Sequence, residues 1–168
     1  GDLAGARPYY ERALAIREEV LGPRHPDTAT SLNNLGSLLQ AIGDLAGARP
    51  YFERALGIRE EVLGTRHPST ASSLNNLGGL LQAMGDLAGA RPYYERALGI
   101  REEVLGPRHP DTAQSLNNLG TLLQGTGDWA GARPYFERAL GIVEERLGAN
   151  HPNTRVVWGN LAGLLAEM

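Results

Sequence analysis

A 42-residue unit occurs four times in this chain, opening at Gly1, Gly43, Gly85 and Gly127, and fills all 168 residues without remainder. Gly-Asp-Leu-Ala-Gly-Ala-Arg-Pro-Tyr heads the first and third copies, while Phe52 and Phe136 stand where the first copy has Tyr10. A fixed period of this length with helical patterning inside it constrains the fold strongly. Each copy takes the same conformation and buries its apolar side against adjacent copies, so the expected architecture is a solenoid. Residues 1–168 are therefore read as one repeat domain with units 1–42, 43–84, 85–126 and 127–168.

Each unit divides into two helices. His25-Pro26-Asp27-Thr28 starts the first, because Pro suits a first helical position whose N–H would have no partner. Asp27 adds negative charge at the positive end of the helix dipole. Ala29, Leu32, Leu35, Leu38, Leu39 and Ile42 then recur at the spacing of one helical face. Gly43 stops this helix and Asp44 caps the next. In that second helix Ala48, Phe52, Ala55 and Val62 share a face, with Leu45, Leu56, Ile58 and Leu63 beside it. Both helices are expected to run about 17 to 19 residues, or roughly 26 to 28 Å. Pro50, repeated at Pro8, Pro92 and Pro134, removes one backbone hydrogen bond and predicts a local bend.

Composition excludes several functions. The chain has no Cys, hence no disulfide framework, thiolate metal site or cysteine nucleophile, and a reducing, cytoplasmic setting is the expectation. Sixteen basic residues, all Arg, face nineteen acids for a net charge of −3, which argues against a nucleic-acid partner. No apolar run is long enough to span a bilayer, so no membrane association is expected. The 22 Gly and Arg-only basicity point to a GC-rich coding sequence and a bacterial source, and an opening Gly1 to a fragment of a longer protein.

These residues resemble a tetratricopeptide repeat. Leu35, Gly36 and Leu39 in the first helix, and the small-large-small set Ala48, Phe52, Ala55 in the second, match its pattern. Matching sets occur at Leu77, Gly78, Leu81, Ala90, Tyr94, Ala97 and at Leu119, Gly120, Leu123, Ala132, Phe136, Ala139. The period exceeds the usual 34 residues of that family and is similar to the 42-residue repeats of kinesin light chains, which carry comparable Leu-Asn-Asn-Leu, Arg-Ala-Leu and His-Pro-Asp segments. The near identity of the copies points to recent duplication or consensus design. The resemblance implies an all-α, right-handed superhelix of antiparallel helix pairs, about eight helices in all. It also implies a protein-interaction scaffold with no catalysis and no cofactor.

In that family the first helices line a concave groove. Transferred here, the inward positions are Thr30, Asn33, Ser37 and Gln40, then Ser72, Asn75, Gly79 and Gln82, then Gln114, Asn117, Thr121 and Gln124. Their spacings of three, four and three place them on one face. Asn33, Asn75 and Asn117 can clamp an extended peptide, since a carboxamide both donates to and accepts from any backbone. Alternatively the Asn pairs solvate the helix, with Asn34, Asn76 and Asn118 bonding within or between repeats. None of the inward positions is Lys or Arg, so a free carboxylate or acidic peptide is not the expected ligand.

Other signals carry less. His25, His67, His109 and His151 fall one per repeat, too far apart to converge on one metal ion, and read as helix-entry residues. Arg59, Glu60 and Glu61 read as a solvated face with ion pairs between repeats. The recurring Glu18-Glu19 pair, the lack of a phosphate loop and the lack of a nucleophile elbow argue against an enzyme.

In frame, the chain opens on an outer helix and closes on an inner one. The fourth copy departs most: Arg146, Arg155, Asn150 and Val143 replace Val104, Ala113, Arg108 and Arg101, and Val156, Val157 and Trp158 replace Gln114, Ser115 and Leu116. This leaves a second reading, in which Leu3 and Tyr10 of one molecule meet Val156 and Trp158 of the next in a head-to-tail contact that builds fibres.

Overall fold

A computed structural model describes residues 3–168 except the side chain of Ala4; Gly1, which opens the first unit, and Asp2 lie outside the described residues. Among the described residues there are eight α-helices and no strand: α1 (Leu3–Leu21), α2 (Pro26–Ala41), α3 (Leu45–Val62), α4 (Pro68–Ala83), α5 (Leu87–Val104), α6 (Pro110–Gly125), α7 (Trp129–Leu147) and α8 (Pro152–Glu167). They form two compact units, Gly1–Gly85 and Asp86–Met168, each holding two copies of the repeat. In the first unit α2 packs against α1, α3 and α4, and in the second α6 packs against α5, α7 and α8. The even-numbered helices are thus the inner ones and the odd-numbered the outer ones.

Local chemistry sets the helix ends. His25 is the N-cap of α2, and its Nδ1 accepts the Asp27 N–H at 3.1 Å. His67, His109 and His151 do the same for α4, α6 and α8. α2, α4 and α6 close on positive-φ glycines: at Gly43 (φ 88°) the Gly43 N–H reaches the Gln40 carbonyl and the Asp44 N–H the Leu39 carbonyl, which satisfies two otherwise orphaned acceptors. Asp44 then caps α3 by accepting from the Gly47 N–H at 2.9 Å. Because Ile42 serves as the C-cap, α2 is 16 residues long, one short of the expected range, while α3 has 18 and runs on past Pro50.

Inner and following outer helices meet through a bare backbone. Phe52 and Phe136 are fully buried, and an added Cβ on Gly36 would lie 3.0 Å from the Phe52 ring and on Gly120 2.8 Å from the Phe136 ring. Only Gly permits that approach, and burial of each ring is worth about 1.5–3 kcal/mol. Ala48 and Ala55 are also fully buried, but Val62 is 48% exposed; the stripe that begins 48, 52, 55 continues at Arg59. That is a correction to the apolar face expected of α3, and its reason lies in the site below.

We predict that Gly120→Ala lowers the thermal midpoint of the whole chain, costing about 1–3 kcal/mol by overpacking. Gly57→Ala raises it by up to about 1 kcal/mol, because an added Cβ there meets nothing within 4 Å and Ala15 already holds the same place in the first copy. Circular-dichroism melts of the two variants check both signs.

Candidate binding face on the inner helices

Four buried threonines tie each inner helix to the turn before it. The Thr28 hydroxyl donates to the Gly22 carbonyl at 2.8 Å, Thr70 to Gly64 at 2.8 Å, Thr112 to Gly106 at 2.9 Å and Thr154 to Gly148 at 2.8 Å. The positive φ of each of these glycines (86° to 95°) turns its carbonyl toward the helix start. The inner helices therefore enter at a fixed angle, which sets where their exposed side chains point.

Of the expected inward residues in the first unit, Ser37 is exposed and Thr30, Gln40, Ser72, Gly79 and Gln82 are half-buried. Thr30 and Ser72 return their hydroxyls to the Pro26 and Pro68 carbonyls at 3.2 Å. Asn33 and Asn75 are only 5% and 7% exposed. The Asn33 carboxamide is used at both ends: Nδ2 donates to Ser73 Oγ at 3.1 Å, and Oδ1 accepts from Asn76 Nδ2 at 3.2 Å. In the second unit Gln114 is exposed, and Asn117, Thr121 and Gln124 are half-buried. Asn160 donates to Asn117 Oδ1 at 2.9 Å, repeating the rung. Within each unit, the first Asn of one inner helix thus accepts from the second Asn of the next. The fourth copy keeps the donor Asn160 and has Gly159 in place of the acceptor.

Arg59 and Arg101 are buried, 8% and 3% exposed, so the Arg-Glu-Glu segment is not a uniformly solvated face. Arg59 Nη1 donates to the Ser69 carbonyl at 3.0 Å and to Ser73 Oγ at 2.9 Å, and Nη2 to Thr30 Oγ1 at 3.3 Å. Arg101 Nη1 reaches the Asp111 carbonyl at 2.8 Å, Gln114 Oε1 at 3.2 Å and Ser115 Oγ at 3.0 Å. Burial lowers the pKa of both guanidinium groups; for Arg101, Asp111 opposes the shift. A sequence signal existed: Arg59 falls four residues after Ala55, on the core stripe. The fourth copy replaces both partners together, with Val143 for Arg and Val157 for Ser, and the two valines join Ile142, Ala139, Ala113 and Leu116 in one apolar cluster.

The outer helices and the turns that follow them carry the ion pairs. Arg54–Glu18 and Arg138–Glu102 close at 2.6 Å, Arg24–Glu61 at 2.7 Å and Arg108–Glu145 at 3.1 Å, each between repeats of one unit. Burial raises the Tyr94 hydroxyl pKa to about 12. Among the described residues no group of three His, Cys, Asp or Glu could hold a metal ion, and no helix is long and apolar enough to cross a membrane. At the ends, Leu3 is 43% and Tyr10 39% exposed, and Val156 and Trp158 are 58% and 60% exposed.

Antiparallel helix pairs with a small-residue seat for a following aromatic, repeated at constant period, define a helical-repeat solenoid. The tetratricopeptide-repeat family model matches residues 1–61, 38–103, 69–145 and 115–168, and the chain belongs to that family. Its fold is that of a protein-interaction scaffold. Among solved structures it is similar to BtubC (BKLC) from P. vanneervenii, with 27% identity and a TM-score of 0.84 over 99% of this chain and 66% of that one. It is also similar to a Podosopora anserina structure described as a kinesin light chain with nearly identical TPR-like repeats, at 26% identity and a TM-score of 0.79 over 99% of this chain and 79% of that one. No curated protein matches.

The Arg59–Ser73 pair yields a second prediction. Ser73→Val alone removes the acceptor shared by Arg59 and Asn33 and costs about 1–3 kcal/mol. Adding Arg59→Val recovers part of that loss, as the natural Val143–Val157 pair implies. A double-mutant cycle by urea denaturation measures the coupling, expected at about 0.5–3 kcal/mol.

Proposed function

We propose that the chain is a non-catalytic scaffold that holds an extended peptide segment of a partner protein along the accessible face of its inner helices. The observation that carries this is a contrast in chemistry. The outer surface is laced with Arg–Glu pairs, whereas the accessible inner positions Thr30, Ser37, Gln40, Ser72, Gln82, Gln114, Thr121 and Gln124 are all uncharged amides and hydroxyls. Such groups suit the alternating donors and acceptors of a peptide backbone. Asn33 and Asn75 support the face from beneath, and Asn117 is the most accessible of the three. The unbroken 42-residue period and the family match along its length support treating residues 1–168 as one scaffold domain. A kinesin-light-chain likeness bears on the repeat type; the partner here is a protein or peptide of its own.

The test is capture from a random peptide library by the native chain and by a variant with Ser37, Gln40, Gln82 and Gln124 all changed to Ala. We expect unchanged helicity and capture reduced about tenfold or more, the loss of one to two hydrogen bonds' worth of affinity. Undiminished capture by the variant contradicts the assignment.

The head-to-tail reading is second. The exposure of Leu3, Tyr10, Val156 and Trp158 favours it. Against it, Ala162 occupies the place of Gly36 and Gly120, so α8 does not offer the bare backbone on which an incoming Tyr10 would sit as Phe52 and Phe136 do.

A further inference from the structure

The fourth copy opens a pocket that the second copy fills. In the first unit, the Arg59 guanidinium bridges Thr30, the Ser69 carbonyl and Ser73, between α2 and α4. The corresponding space between α6 and α8 is a cavity of about 270 Å³ lined by Pro110, Gln114, Asn117, Asn118, Val143, Asn153, Val156 and Val157. Val143 has taken the place of the guanidinium and Val157 that of the serine hydroxyl, so the floor is aliphatic.

The same exchange frees a donor. Asn33 Nδ2 gives its hydrogen to Ser73 Oγ, but the equivalent of Ser73 beside Asn117 is Val157. Asn117 and Gln114 spend only their amide oxygens, on Asn160 Nδ2 and Arg101 Nη1, and their NH₂ groups meet no acceptor among the described residues.

Resting on the peptide-scaffold reading above, we propose that this cavity is a specificity subsite for one aliphatic side chain, Leu- or Ile-sized, of the bound peptide, with the adjoining peptide carbonyl accepting from Asn117 Nδ2. Three observations select that occupant. The volume lies below the roughly 300–1,000 Å³ of small-molecule sites, which suits one side chain. None of the lining residues is charged, so an ionic side chain would be desolvated without a partner. The donor stands at the rim on the inner-helix face, where a backbone in the groove would pass.

The probe is N-acetyl-leucine methylamide, with N-acetyl-glycine methylamide as control, titrated into the whole chain under methyl and side-chain-amide NMR. The leucine compound should give saturable shifts at Val156, Val157 and the Asn117 amide, and the glycine compound none. Val143→Arg with Val157→Ser, which restores the second-copy arrangement, should weaken that binding about tenfold or more, the order expected when an aliphatic side chain loses its burial. Should that variant fail to fold, Val156→Glu at an exposed position should produce the same loss. Equal shifts with both compounds, no saturable shift, or undiminished binding by a folded variant overturns the subsite. Library capture that still depends on the inner-face glutamines but shows no aliphatic preference overturns the subsite alone. Capture indifferent to those glutamines, alongside intact leucine binding, overturns the groove reading alone.

Discussion

An aromatic ring seated against a glycine backbone sets the distance between α2 and α3 in the first unit and between α6 and α7 in the second. Phe52 against Gly36 and Phe136 against Gly120 leave no room for a Cβ, so the two helix axes approach to a separation that side-chain packing would otherwise prevent. The tight Gly43 and Gly127 turns follow from that closeness, since helices so near need only a few residues between them. Once the spacing is fixed, the next inner helix falls within reach of the previous one, and Asn33 can meet Asn76 at 3.2 Å. The amide rungs operate at a distance the aromatic seat establishes.

Period, helix pairing, caps and the small-large-small packing were legible in the residues, because each depends on a residue type that does one physical thing. Gly at positive φ, Pro at a first turn and His-Pro at an entry are of this kind. The buried arginines were not, because a guanidinium is ordinarily solvated and Val62 offered a conventional apolar alternative. The geometry prefers Arg59, whose long side chain crosses beneath the face to reach the Ser69 carbonyl. The tethering role of Thr28 is not legible for a related reason: its partner is a carbonyl six residues earlier, which only the turn brings near. The site was only partly legible. Periodicity placed Asn33, Ser37 and Gln40 on a common side, yet a helix packed against three neighbours buries more than one stripe, and Asn33 falls in the covered part.

The fourth copy acts as an internal mutant series. Arg and Ser change together to Val143 and Val157, and the acceptor Asn becomes Gly159 while the donor Asn160 stays. The seat glycine becomes Ala162, and the formerly buried leucine becomes the exposed Trp158. The Arg-to-Val and Ser-to-Val changes fall together on side chains that are hydrogen-bonded to each other in the second and third copies. Copies one to three are near identical, and copy four diverges most. That divergence also gives the inner-helix face its least repetitive chemistry, the aliphatic floor beside Asn117.

The claim beneath all of this is that one repeat is not stable by itself, since the surfaces that seat its rings and amides belong to adjacent repeats. A far-UV circular-dichroism melt of the isolated 43–84 unit, set beside that of the whole chain, tests it most directly. The account predicts little helix and no cooperative transition in the isolated unit. A cooperative melt at the temperature of the 168-residue chain would contradict it.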